Sequence, residues 1–148
     1  MRKLRIAFSK REKGEQLLTR LNELQANGEV EEAAYEKKKE QYERLIEEGS
    51  LEVDAIKGAL ATKLDALRKD LEKFPQELKD LELKSKVGEI PASTYMRQDQ
   101  RIRARIKKLE DDARNTEQLL GAESAEDAGG FIDVPLDKKF RIRRPDWL

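Results

Sequence analysis

The sequence contains no cysteine and no histidine among its 148 residues. Without thiols there is no disulfide, no cysteine nucleophile and no thiolate ligand. Without imidazole, Ser–His triads, Cys/His zinc sites and the usual near-neutral proton carrier are excluded too. The lack of cysteine also fits a reducing compartment. Aromatic residues make up only 5% of the chain, with a single Trp. No apolar run approaches the ~18 residues that a membrane span needs, and Leu4-Arg5-Ile6-Ala7-Phe8 is too short and interrupted for a signal peptide. Net charge is missing as well: 31 basic residues balance 31 acidic ones, so no overall field draws in nucleic acid or an anionic membrane. No Gly-rich phosphate loop or metal motif appears. Together these absences predict a cytoplasmic, non-enzymatic protein with no cofactor and no membrane span.

What the chain does contain is charge. Charged residues are 42% of the total, against about 25% in an average soluble protein. Ala, Glu, Lys, Leu and Arg fill more than half of the positions, the profile of long helices and coiled coils. Narrow apolar seams between helices suit this supply of hydrophobic residues better than a thick core does.

The strongest signal is an internal repeat at an offset of 60 residues. Leu18, Leu21, Gly28, Glu29, Tyr35 and Ile46 recur as Leu78, Leu81, Gly88, Glu89, Tyr95 and Ile106. Val30 matches Ile90 and Tyr42 matches Ile102, while Glu12, Lys13 and Gln16 match Glu72, Lys73 and Gln76. Each copy reads as a leucine-spaced helix, a glycine, an acidic residue, a branched apolar residue and a second helix carrying a tyrosine. Gly28 and Gly88 stand where a helix ends in a left-handed residue, and Asn27 strengthens the first turn. Pro91 suits a first-turn position, where its missing N–H is an orphan anyway. Connections this short force antiparallel neighbours.

A heptad runs from Val53 through Leu60, Leu67, Phe74 and Leu81, with Leu64, Leu71 and Leu78 in the complementary position. Lys57 replaces the first complementary residue, and Ile56 is its apolar neighbour. The last helix continues the pattern with Tyr95, Ile102 and Leu109, and with Ile106, Ala113 and Leu120. Such a run argues for a coiled coil. Gly49-Ser50 predicts a bend or stutter, since Gly costs about 1 kcal/mol inside a helix. Pro75 costs ~3 kcal/mol in a helix interior, so the long helix either ends near Phe74 or kinks there; the surviving heptad phase favours a kink. The spacing predicts helices at 10–26, 31–73, 75–86 and 92–120. At ~1.5 Å per residue the long helix reaches roughly 60 Å, and a 17-residue partner cannot cover it. A homodimer or higher homo-oligomer is therefore expected.

The expected class is all-α: two repeated antiparallel helical hairpins (10–74 and 75–120) forming an elongated coiled coil. A short basic arm (1–9) precedes them, and the alternation of Leu4, Ile6 and Phe8 suits either a short strand or the start of the first helix. Residues 121–130, rich in Gly, Ala and Ser, have linker composition. Residues 131–148 form a non-helical apolar and basic tail interrupted by Pro135 and Pro145, with Phe131, Val134, Leu136, Phe140, Ile142, Trp147 and Leu148 as candidate partner-binding residues. Large apolar groups on a tether cost ~25 cal/mol per Å² left in water, so they either fold back onto the hairpins or dock on a partner. In the docked reading the tail adds a strand with Phe140 and Ile142 on one face and Trp147 as anchor.

Basic side chains also form a stripe on the last helix, with Arg97, Arg101, Arg105 and Lys108 at i, i+4, i+8 and i+11. With the basic termini they offer candidate phosphate contacts, the mark of an RNA- or ribosome-associated factor. A solvated face, or pairing with acidic stretches such as Glu29–Glu32, explains the same stripe, and no aromatic arrangement for base stacking accompanies it.

The Leu-x-x-Leu spacing, Gly28-Glu29-Val30 and Tyr35 resemble the helix–turn–helix pattern of SHOCT-type oligomerisation modules. Two such hairpins around a long heptad run, over about residues 15–120, also resemble the coiled-coil region of CdvA-like archaeal cell-division scaffolds. That resemblance implies a scaffold in a cell-division or membrane-remodelling assembly whose C-terminal peptide docks on an ESCRT-III-like partner. No segment here offers room for that family's N-terminal β-barrel. The combined expectation is an oligomeric coiled-coil scaffold or adaptor that recruits a protein through its tail.

Overall fold

The computed structural model of the chain describes residues 2–130. Every regular element in these residues is helical: α1 (Arg2–Ala26), α2 (Glu32–Lys86), α3 (Ala92–Leu120) and α4 (Ala125–Gly130). The all-α class and the helical-hairpin arrangement hold. The tail expected to be non-helical lies outside the described residues.

Both hairpin turns are built alike. Gly28 and Gly88 have φ of 74° and 84°, a left-handed conformation that is costly with a Cβ. Glu29 donates its N–H to the Leu24 carbonyl at 2.9 Å, and Gly28 donates to Gln25 at 3.0 Å. The second turn repeats this as Glu89 to Lys84 at 2.9 Å and Gly88 to Ser85 at 3.1 Å. These are the two crossed bonds of a Schellman cap, which satisfy carbonyls left over at the helix end. The next helices open identically, with Tyr35 donating to the Glu31 carbonyl and Tyr95 to that of Pro91. Pro91 serves there because this position supplies a carbonyl and needs no N–H.

The chain forms two compact units, which divide between Ala59 and Leu60, inside α2, rather than at Pro75. In the first, α1 runs antiparallel to the opening half of α2. Tyr35 donates its hydroxyl proton to Asn22 Oδ1 at 2.8 Å, and Lys10 donates to Glu52 at 2.7 Å, so partners move apart in sequence as the hairpin runs away from its turn. The short strand weighed at Leu4, Ile6 and Phe8 is absent: Leu4, Ala7 and Phe8 form a helical stripe with at most 1% exposure, and Ile6 points outward. Helical spacing (i, i+3, i+4) is what buries them together.

In the second unit, residues 60–118 pair the closing half of α2 with α3. The heptad residues Leu60, Leu64, Leu67, Phe74 and Leu81 are buried there. On α3, Leu109 and Ala113 are buried as well, followed by Thr116, whose hydroxyl bonds the Asp112 carbonyl at 2.8 Å. The helix does not end near Phe74: Pro75 lies inside α2, which runs 55 residues, the continuous alternative that the surviving heptad phase favours. Its ring stands at an exposed position, and the helix continues through it despite the lost hydrogen bond.

Gly49 likewise does not interrupt α2. A Cβ there would stand 2.7 Å from the backbone nitrogen of Arg11, and one on Gly14 would stand 2.8 Å from the Ile46 side chain. These glycines let α1 and α2 touch at the backbone. At an offset of 60 their counterparts are Phe74 and Leu109, both buried, so the second hairpin fills with side chains the level that the first closes without them. The premise of the expected oligomer also changes: α1 has 25 residues rather than 17, α3 has 29, and each lies along its own half of α2.

Two glycine substitutions should therefore have opposite signs. Gly49→Ala forces α1 and α2 apart and should lower the unfolding free energy by about 1–3 kcal/mol. Gly58→Ala meets nothing within 4 Å and should raise it by about 0.5–1 kcal/mol through helix propensity and unfolded-state entropy. Urea denaturation midpoints at constant slope check both.

Candidate functional site

The best-buried small cluster in the first unit joins the two ends of the described chain. After Leu120 the backbone turns through Gly121–Ser124, and α4 lies against the first turns of α1, with Ala122 1% and Ala128 0% exposed. Residues 121–130, whose composition reads as a linker, thus hold a docked helix. A local cap starts it: Asp127 donates its N–H to Ser124 Oγ at 3.1 Å, and Asp127 Oδ2 accepts the Glu123 N–H at 3.1 Å. That is close kin to a capping box, in which side chains satisfy the first orphan donors of a helix.

Three charged side chains from α1 and α2 complete the docking by bonding backbone atoms. Lys57 Nζ donates to the Ala122 carbonyl at 2.6 Å, and Arg11 Nη2 donates to the Glu123 carbonyl at 3.2 Å. Glu12 Oε2 accepts the Ala125 N–H at 2.9 Å. The Arg11 and Lys57 charges also lie 4.9 and 5.5 Å from the centroid of the Phe8 ring, where the ring quadrupole attracts them. Arg11 Nε is buried without a hydrogen-bond partner. Gly129 lies close to Arg5, with a Cβ there standing 3.1 Å from Arg5 Cδ. Lys57 is therefore the polar member of an otherwise apolar heptad because α4 supplies it with a carbonyl.

The basic stripe is solvent-facing: Arg97, Arg101, Arg105 and Lys108 are all exposed. No ion pair to any of the four occurs among the described residues. Arg101 and Arg105 line a shallow groove across the second hairpin with Asp70, Lys73 and Glu77 of α2, so carboxylates stand near two of the four cations. The candidate docking residues Phe131, Val134, Leu136, Phe140, Ile142, Trp147 and Leu148 lie outside the described residues. What is described is their point of departure, Gly130, at the end of α4.

Among the described residues no cluster of acidic side chains is placed to hold a metal ion, and no helix is long and apolar enough to cross a membrane. No family model matches the chain, and neither a curated protein nor a solved structure matches it.

The docking of α4 is not visible in the periodicity of the chain. Its signals were a Ser-x-x-Asp cap at Ser124 and Asp127, and Leu4, Ala7 and Arg11, which stand 60 positions before Leu64, Leu67 and Leu71. The repeat therefore begins inside the segment read as a basic arm.

Lys57→Met keeps the aliphatic stem over Phe8 but removes the donor to Ala122. Hydrogen bonds from charged groups contribute about 1.5–3 kcal/mol, so the variant should unfold at lower urea, whereas Lys63→Met at an exposed site should stay within about 0.5 kcal/mol of the parent. A second check uses pH. The hydrogen bond to Glu52, then the charges of Glu52 and Glu48, hold the Lys10 ammonium above its ordinary value of 10.5 against some desolvation. A raised folded value means that the ion pair's stabilisation is complete below 10.5 and is lost as pH rises through the folded value. Urea midpoints of the parent and of Glu52→Gln should therefore converge in alkali.

Proposed function

We propose that this chain is a non-enzymatic adaptor: a helical platform that fixes the root of a C-terminal recognition segment. The observation that carries the reading is the docking of α4, which ties residues 122–128 to α1 immediately before the segment 131–148 begins. Leu60, Leu64, Leu67, Phe74, Leu81 and Leu109 of the heptad are already buried within the chain, whereas Phe131, Phe140, Ile142 and Trp147 concentrate large apolar groups in the final 18 residues. Alternation at Phe140 and Ile142 between basic neighbours suits addition of a strand to an exposed sheet edge, with Trp147 as the energetic anchor. A cell-division or membrane-remodelling assembly is the setting that the resemblance to CdvA-like scaffolds supports. A second reading, phosphate binding by Arg97, Arg101, Arg105 and Lys108, is favoured by their exposure without ion pairs.

Deleting 131–148 should leave the helical circular-dichroism signal and urea midpoint of the rest unchanged while abolishing retention of a partner from native lysate. Trp147→Ala should weaken binding of the recovered partner by at least about 2 kcal/mol. Retention that survives the deletion, or a deletion that melts the helices, overturns the adaptor reading. Binding of homopolymeric RNA that falls steeply with salt, and that is lost when Arg97, Arg101 and Arg105 become Glu, would establish the phosphate reading instead.

A further inference from the structure

We infer that α4 is a releasable strap, which opens as a local unit while both hairpins stay folded. Three features of the docked state carry this. First, α4 has six residues and ends in Gly129-Gly130, far below the length at which a helix persists alone in water. Its helical form therefore depends on docking, and release and unfolding of the strap are one event. Second, its apolar contribution comes from Ala122 and Ala128, small side chains that are fully covered but bury little area. The remaining hold is Lys57, Arg11 and Glu12 on the backbone of residues 122, 123 and 125. Third, Arg11, whose Nη2 holds the Glu123 carbonyl, keeps its Nε buried without a hydrogen-bond partner, an unmet donor that offsets part of the hold.

The hairpins do not share this balance. Their turns are capped by crossed backbone bonds, and their seams bury leucines and aromatics. The strap accordingly opens as a local unit while both hairpins stay folded, which is how low-stability elements behave within a more stable frame. Opening lengthens the tether of the segment 131–148 by the residues from Gly121 onward. The inference rests on the described residues alone and stands whether or not 131–148 binds a partner.

The absence of cysteine makes the test clean, because a single introduced thiol is the only one present. Full-length Ala122→Cys reports on the strap and full-length Ala113→Cys on the α3 seam. Under native conditions a maleimide should modify Cys at 122 at least about 100-fold faster than at 113, with little dependence on dilute urea. Adding Glu12→Ala should accelerate the first by about tenfold, the effect of one lost cap, and leave the second unchanged. Native-state hydrogen exchange of the unsubstituted protein gives the same reading without a cysteine: the Ala128 amide should exchange by an opening that leaves the amides around Leu18 and Leu21 protected. Equal labelling rates with equal urea dependence, or equal protection of those amides, would show that α4 opens only by global unfolding and would overturn the inference.

Discussion

The backbone of Arg11 lies against Gly49 with no side chain between them, and the first hairpin is organised around that contact. Two helices that touch at the backbone cannot also hold a layer of large side chains at that level. The apolar material is displaced toward the start of α1, where Leu4, Ala7 and Phe8 gather. The same contact brings Arg11 and Lys57 to the Phe8 ring, and from there both reach carbonyls of the turn before α4. In the second hairpin Phe74 and Leu109 occupy the corresponding level, and the result is an ordinary side-chain seam. One repeated pattern thus gives two kinds of helix pair, distinguished by two glycines.

Charge serves different ends in different places. On the outer faces it forms pairs such as Arg44 with Glu40 and Lys86 with Glu82, both exposed, and pairs of this kind contribute at most a few tenths of a kcal/mol each. At α4 the charges of Lys57, Arg11 and Glu12 act on backbone atoms that would otherwise be left without partners. A highly charged composition therefore conceals a small set of residues whose charge is tied to one contact, surrounded by many whose charge keeps helices in water. The exposed apolar side chains are distributed unevenly too. Leu83, Val87 and Met96, all near the second turn, stand where the first hairpin has Glu23, Asn27 and Glu36, so the two copies have diverged at their tips as well as in their seams.

The hairpins were legible in the sequence because their signals are local and duplicated. Gly28 and Gly88 mark left-handed caps, and the leucine spacing between them sets the buried face. At Pro75 the heptad phase is a better guide than the intrinsic cost of the proline, since Leu67, Phe74 and Leu81 stay on one buried line across it. The role of Gly49 was not legible, because a glycine weakening a helix and a glycine admitting a neighbour look the same in one dimension. The docking of α4 was hidden for a related reason: its partners, Glu12 and Ala125, are 113 residues apart, and no periodicity connects them. Composition alone, rich in Gly, Ala and Ser, describes a linker and a small-residue docking helix equally well. The basic stripe was correctly placed on one exposed helical line, but its nearness to Asp70 and Glu77 is a property of the pairing between α2 and α3.

That separation of 113 residues bears on how the protein is made. The hairpin contacts join residues such as Asn22 and Tyr35, 13 apart, and close short loops. The contact of α1 with α4 closes almost the whole described chain, and closing a longer loop costs more entropy. Synthesis proceeds from the N-terminus, so α1 and both hairpins precede α4, and the contact of α1 with α4 is the last of these described contacts that can form. The pairing of α1 with α2 is therefore available before the helix that docks on it exists.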